Sequence, residues 1–112
     1  MKNAGSRSVE MAIKFEHNSL LLLSAQRALL GAIYPEIRAI AVGIEAGKLY
    51  IKCYLDRPPT EADYENLGVI ATEIYADMHH EAERVEEICE YSLAPFNQLD
   101  RLMAFVYMRK ED

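Results

Sequence analysis

A chain of 112 residues, 51% of them apolar, is one domain's worth of sequence and can build a core without metals or disulfides. The net charge is −6 and unevenly spread: residues 1–55 carry seven Lys and Arg against four Asp and Glu, residues 56–112 five against fourteen. That balance speaks against direct nucleic-acid binding, which needs clustered Lys and Arg, and makes a basic protein a natural partner for the second half, although acidity also serves plain solubility.

The longest apolar run, Leu20 to Ile33, is broken by Ser24, Gln26 and Arg27, so no stretch reads as a membrane span. Lys2 and Arg7 are not followed by a signal-peptide core. The expectation is a cytoplasmic protein, a single domain over 1–112 with residues 1–17 loosely ordered. Cys53 and Cys89, the only cysteines, read as small buried hydrophobes rather than a disulfide.

In chain order, Val9 to Phe15 is a short extended piece or a fraying turn, and Asn18 or Ser19 can cap a first helix. Leu22, Ala25, Leu29 and Ile33, joined by Gln26, Leu30 and Ala32, give that helix a wide apolar face. Leu20 to Leu23 make its first turn apolar on nearly every side, as for a helix buried in a small core. Gly31, Tyr34 and Pro35 end it. Glu36 to Ile44 reads as a central strand covered on both sides, because Ala39 and Ala41 interrupt the alternation of Ile37, Ile40, Val42 and Ile44. Ala46-Gly47 is a hairpin turn. Lys48 to Asp56 is the cleanest strand, with Leu49, Ile51, Cys53 and Leu55 on one face and Lys48, Tyr50, Lys52 and Tyr54 on the other.

Pro58 and Pro59 stop that strand, and Thr60 with Asp63 forms a capping box for a second helix. Tyr64, Leu67, Ile70, Ala71, Ile74 and Met78 make its dry face. Residues 79–91 suit either a continued helix or a strand. A helix reaching Cys89 would be unusually long, so a break near His79-His80-Glu81 is favoured, with a strand from about Arg84 to Ser92 and Glu87 at a bulge. Pro95 and Asn97 mark a loop. Leu102 to Arg109 is a last strand, with Leu102, Ala104, Val106 and Met108 opposite Met103, Phe105, Tyr107 and Arg109, before a solvated tail. The order α-β-β-α-β-β suggests an α+β fold, two helices on one face of a mostly antiparallel four-stranded sheet.

Chemistry is hard to find in this pattern. His79 and His80 are adjacent and point apart, and His17 is remote, so no metal site is expected. No phosphate loop, nucleophile elbow or cofactor motif is present, and Cys53 sits among buried-type residues. The chain is expected not to be an enzyme and to need no cofactor. What remains is surface: Tyr50, Tyr54, Tyr91 and Tyr107 lie on strands, and beside Glu86 and Glu90 some would make an aromatic patch rimmed by acid, while two or three would simply finish the core.

Tyr54-Leu55-Asp56-Arg57-Pro58-Pro59-Thr60-Glu61, the helix that follows, the Glu-rich segment Glu83 to Tyr91 and the ending Phe105 to Lys110 carry a resemblance. From about Asn18 to Lys110 the chain is similar to small acidic immunity proteins of bacterial contact-dependent growth inhibition and related polymorphic toxin systems. The resemblance implies a protein that binds the C-terminal domain of a cognate toxin, commonly a nuclease such as a tRNase, and fills its basic cleft. The contact residues expected on this reading are Tyr54, Asp56, Glu83, Glu86, Glu87, Glu90, Tyr91 and Tyr107. The competing expectation is a small cytosolic regulatory or ligand-binding domain that homodimerises through its sheet face. The toxin's identity, the mode of inhibition and the oligomeric state are not legible.

Overall fold

The computed structural model describes residues 18–111. The expected loose start over residues 1–17, with Val9 to Phe15 inside it, lies outside the described residues. Helix α1 occupies residues 18–28 of the described part. Strands β1 (Ile37–Glu45) and β2 (Lys48–Leu55), helix α2 (Glu61–Asp77) and strand β3 (Arg84–Tyr91) follow, then a 3-10 turn (Phe96–Gln98) and strand β4 (Ala104–Met108).

The fold is α+β, but its sheet is mixed. The strand order is β3-β2-β1-β4, with β1 antiparallel to both β2 and β4, and β3 parallel to β2. This corrects the mostly antiparallel sheet expected above. The cause is length: the 17 residues of α2 span about 25 Å, close to the roughly 26 Å of the eight residues of β2. The helix therefore returns the chain to the end where β2 began, and the next strand must run parallel to it. The plain succession α-β-β-α-β-β is amended too, because the 3-10 turn and an isolated bridge between Leu102 and Val42 stand between the last two strands.

The β1–β2 hairpin closes through Ala46 and Gly47, with φ of 50° and 76°, the signature of a two-residue primed turn. β1 is central and buried along most of its length, as its broken alternation predicts. One sheet face carries Ile40, Val42, Leu49, Ile51, Cys53, Leu55 and Cys89 into a single apolar cluster with Leu21, Ala25, Ala28 and Leu29 of the α1 region and Leu67, Ile70, Ala71 and Ile74 of α2. Burying Leu67, Ile70 and Ile74 contributes about 5–9 kcal/mol gross, before chain entropy.

Thr60 caps α2 and the Asp63 carboxylate returns to the Thr60 amide, the predicted capping box. Tyr64, assigned to the dry face, is 45% exposed instead. In α1 and just after it the buried stripe is Leu21, Ser24, Ala25, Ala28 and Leu29, so Ala25 and Leu29 are buried as expected, Leu21 replaces Leu22, and Leu20, Leu22, Leu23 and Leu30 are exposed. The first helix thus packs by one stripe only. Residues 18 and 19 are already helical, so neither Asn18 nor Ser19 is its cap.

β3 pairs with β2 over eight residues without a register shift, so Glu87 sits at no bulge. The irregularities lie elsewhere: in β1 at Arg38, between Ile37 and Ala39, and in β4, where Ile40 faces Tyr107 but Ala41 faces Phe105. That shift puts Tyr107 on the helix side and Phe105 on the opposite face, against the strict alternation expected of this strand.

Candidate partner-binding surface

Arg38 organises the sheet face opposite the helices. β3 and β4 lie at opposite edges, so the chain between them must cross β2 and β1. The buried Arg38 guanidinium clamps that crossing, donating from Nη1 to the carbonyls of Ser92 and Ala94 at 2.7 and 2.9 Å. Its Nε and Nη2 donate to the Glu111 carboxylate at 2.9 and 2.8 Å, and the Phe96 ring stacks 4.8 Å away. A buried cation is tolerable only with such a set of acceptors. Glu111 is held down at about 2, first by its bonds from Arg38. The tail read above as solvated is therefore anchored at Glu111.

Farther along the strap, Tyr54 Oη donates to the Asp100 carbonyl at 2.8 Å, and its ring stands edge-on to Phe105 with centroids 6.5 Å apart. Leu102 and Met103 cross directly over Gly43, where a Cβ would lie 3.2 Å from both Leu102 Cβ and the Met103 amide. A side chain there would require the strap to give way by a few tenths of an ångström. Toward the hairpin, the same face carries two cross-strand ion pairs, Lys48 with Glu86 at 3.0 Å and Lys52 with Glu90 at 3.3 Å. Their ammonium groups also lie 5.2 and 5.1 Å from the Tyr50 and Tyr54 ring centroids. The face expected to be basic and aromatic is thereby neutralised by β3.

Ion pairing ties up much of the remaining acid. Asp56 is bound by Arg109, Asp63 by Arg57, Asp77 by Arg27, and Glu111 by Arg38 and Arg109. Glu61, Glu65 and Glu73 of α2, and Glu83 and Glu87 along β3, make no ion pair among the described residues. α2 packs mainly on β3, and Glu61, Glu65, Glu83 and Glu87 share that flank, while Glu73 lies on the α1 side of the helix with Asn66 and Asp77. With the carboxylates of that flank stand the half-exposed rings of Tyr64 and Tyr91.

A family model for the MafI2 immunity proteins matches residues 18–111. The chain belongs to this family. No curated protein gives a significant match. An immunity protein has a cognate toxin as its partner, and residues 18–111 include every residue placed above on the acidic flank.

Measured against the expected contact set, this immunity protein does not gather all eight residues into one patch. Glu83, Glu86, Glu87, Glu90 and Tyr91 lie in or beside β3, but on both sides of it: Glu87 faces α2, while Glu86 and Glu90 meet the β2 lysines. Tyr91 shares the helix-side register of Cys89. Asp56 is bound at 2.7 Å by Arg109. Tyr107 belongs to β4, at the far edge of the sheet, and packs against the core. Tyr54 is 1% exposed and completes the packing under the strap. Tyr64 is a functional candidate that periodicity hid, since its spacing marks it as core.

Other groups do structural work. Cys53 and Cys89 are buried free thiols on neighbouring strands, and burial pushes them up to about 12 and about 11. Thiolate chemistry is thus suppressed at neutral pH. His79 and His80 stand in the turn after α2 with rings 3.9 Å apart. No group of three or more metal-binding side chains occurs among the described residues. No helix among them is long and apolar enough to cross a membrane.

Proposed function

We propose that this immunity protein neutralises a cognate toxin domain with nuclease activity, of the tRNA-cleaving kind, by presenting its acidic α2–β3 flank to the basic cleft that binds nucleic acid. It acts in the cytosol by binding alone, without catalysis of its own. The observation that carries the reading is unpaired acid beside half-exposed rings: Glu61, Glu65, Glu83 and Glu87 make no ion pair among the described residues, whereas Glu86 and Glu90 on the opposite face are held by Lys48 and Lys52. Such an array attracts a basic surface and substitutes for phosphates. The half-exposed rings of Tyr64 and Tyr91 add apolar contact beside it.

The test is co-expression. The toxin domain encoded beside this chain is induced in cells with and without it, and growth and tRNA integrity are followed together. Growth arrest with cleaved tRNA, both reversed by this chain, is the expected result. Arrest with intact RNA and DNA that this chain still reverses would retain immunity and discard the nuclease target.

A further inference from the structure

The two edges of the sheet are guarded unequally. β4 has five residues and a register shift against β1, and shortness and irregularity are common ways of spoiling an edge. β3 has eight residues in unbroken register, with neither proline nor bulge. The Ser92 amide, next along the chain, donates inward to the Leu55 carbonyl. Backbone groups alternate in direction along a strand, so those of Val85, Glu87, Cys89 and Tyr91 turn outward, away from β2. Tyr64 Oη reaches the Cys89 carbonyl from that outer side, at 3.4 Å. Among the described residues the four outward amides have no acceptor.

We propose that the outer edge of β3 is the docking line for the toxin, which adds an extended, basic segment there as a fifth strand. This rests on the immunity reading and specifies how the partner is held. Main-chain hydrogen bonds from the four outward residues would supply the grip, and side chains the selectivity. A shallow cleft of about 160 Å³, lined by Tyr75, Glu83, Arg84, Val85 and Glu87 among others, runs between α2 and this edge, two carboxylates against one guanidinium. A Lys or Arg on the added strand would end in this cleft against Glu87 and Glu83. A second copy of this chain fits less well, because edge-to-edge pairing would bring two rows of glutamates together.

Amide hydrogen exchange on the unaltered chain, free and bound to an inactivated form of the toxin domain encoded beside it, reads the edge directly. The amides of Val85, Glu87, Cys89 and Tyr91 are expected to slow by at least about 100-fold in the complex. A companion variant, Glu87→Pro, deletes one outward donor and no β2 ladder bond, as suits an edge position. It should weaken binding by about 100-fold or more, against about 10-fold for Glu87→Gln. A tight complex whose four edge amides exchange as in the free chain would overturn strand addition and leave immunity standing. Absence of any complex, with no rescue of growth, would overturn both.

Discussion

Asp63 shows how much one side chain can tie together. Its carboxylate accepts the Thr60 amide at 2.7 Å, takes two bonds from Arg57 at 2.6 and 3.1 Å, and accepts the Tyr34 hydroxyl. It thus joins the start of α2 to the loops on either side of the β1–β2 hairpin. The Arg57 bonds, first among several causes, hold its pKa well below the usual carboxylate range, although burial opposes them. Burial, followed by the bond to this carboxylate, drives the Tyr34 phenol up. Because the folded value is depressed below the unfolded value of about 3.9, the unfolded chain takes up the proton first. The stabilisation is therefore complete above that value and is lost as pH falls toward the folded one. Asp63→Asn is expected to cost about 2–3 kcal/mol at pH 7. Urea unfolding of both proteins should show the gap closing as pH falls from about 5 toward 2; a gap independent of pH would mean that shape, not charge, is what Asp63 supplies.

At the scale of elements, the sequence was legible wherever a local rule operates and silent where partners are remote. The capping box, the Ala46-Gly47 turn and the doubly covered β1 are all local patterns. The break after Met78 was readable because a helix carried to Cys89 would be too long. The direction of β3 depends on matching the length of α2 to that of β2, which no short window contains. The strap escaped notice because its clamp unites Arg38 with Ser92, Ala94 and Glu111, more than fifty residues away. Gly43 gives a faint signal, a glycine inside a strand. Tyrosine burial is the least legible feature: the strand residue Tyr54 is buried and the helix residue Tyr64 exposed, the reverse of what local spacing suggests. Gly68 belongs to this scale as well. It stands inside α2, and an added methyl would meet only the flexible Glu87 carboxylate at ordinary contact distance. Gly68→Ala is expected to stabilise the fold by about 0.5–1 kcal/mol, raising the melting temperature by about 3–6 °C. A lower melting temperature would show that Glu87 cannot give way.

Across the whole molecule, total charge and its arrangement make different statements about binding. A net −6 confers solubility wherever the charges lie. Steering a partner requires that unpaired charges share a side, as Glu61, Glu65, Glu83 and Glu87 do. Glu86 and Glu90, already opposite Lys48 and Lys52, add little to that field. Association with the toxin domain should therefore slow at least about tenfold between 0.05 and 0.5 M salt, as the screening length shrinks from roughly 14 to 4 Å. Dissociation, governed by short-range contacts, should change far less. Stopped-flow association also separates the two classes of acid. Joint Glu61→Gln and Glu65→Gln substitution on exposed α2 positions should lower the on-rate and flatten its salt dependence, while leaving the melting temperature nearly unchanged. Glu86→Gln, which uncovers Lys48, should alter the on-rate only slightly. An on-rate indifferent to salt would mean that the flank's charge keeps the protein soluble and has no part in finding the toxin.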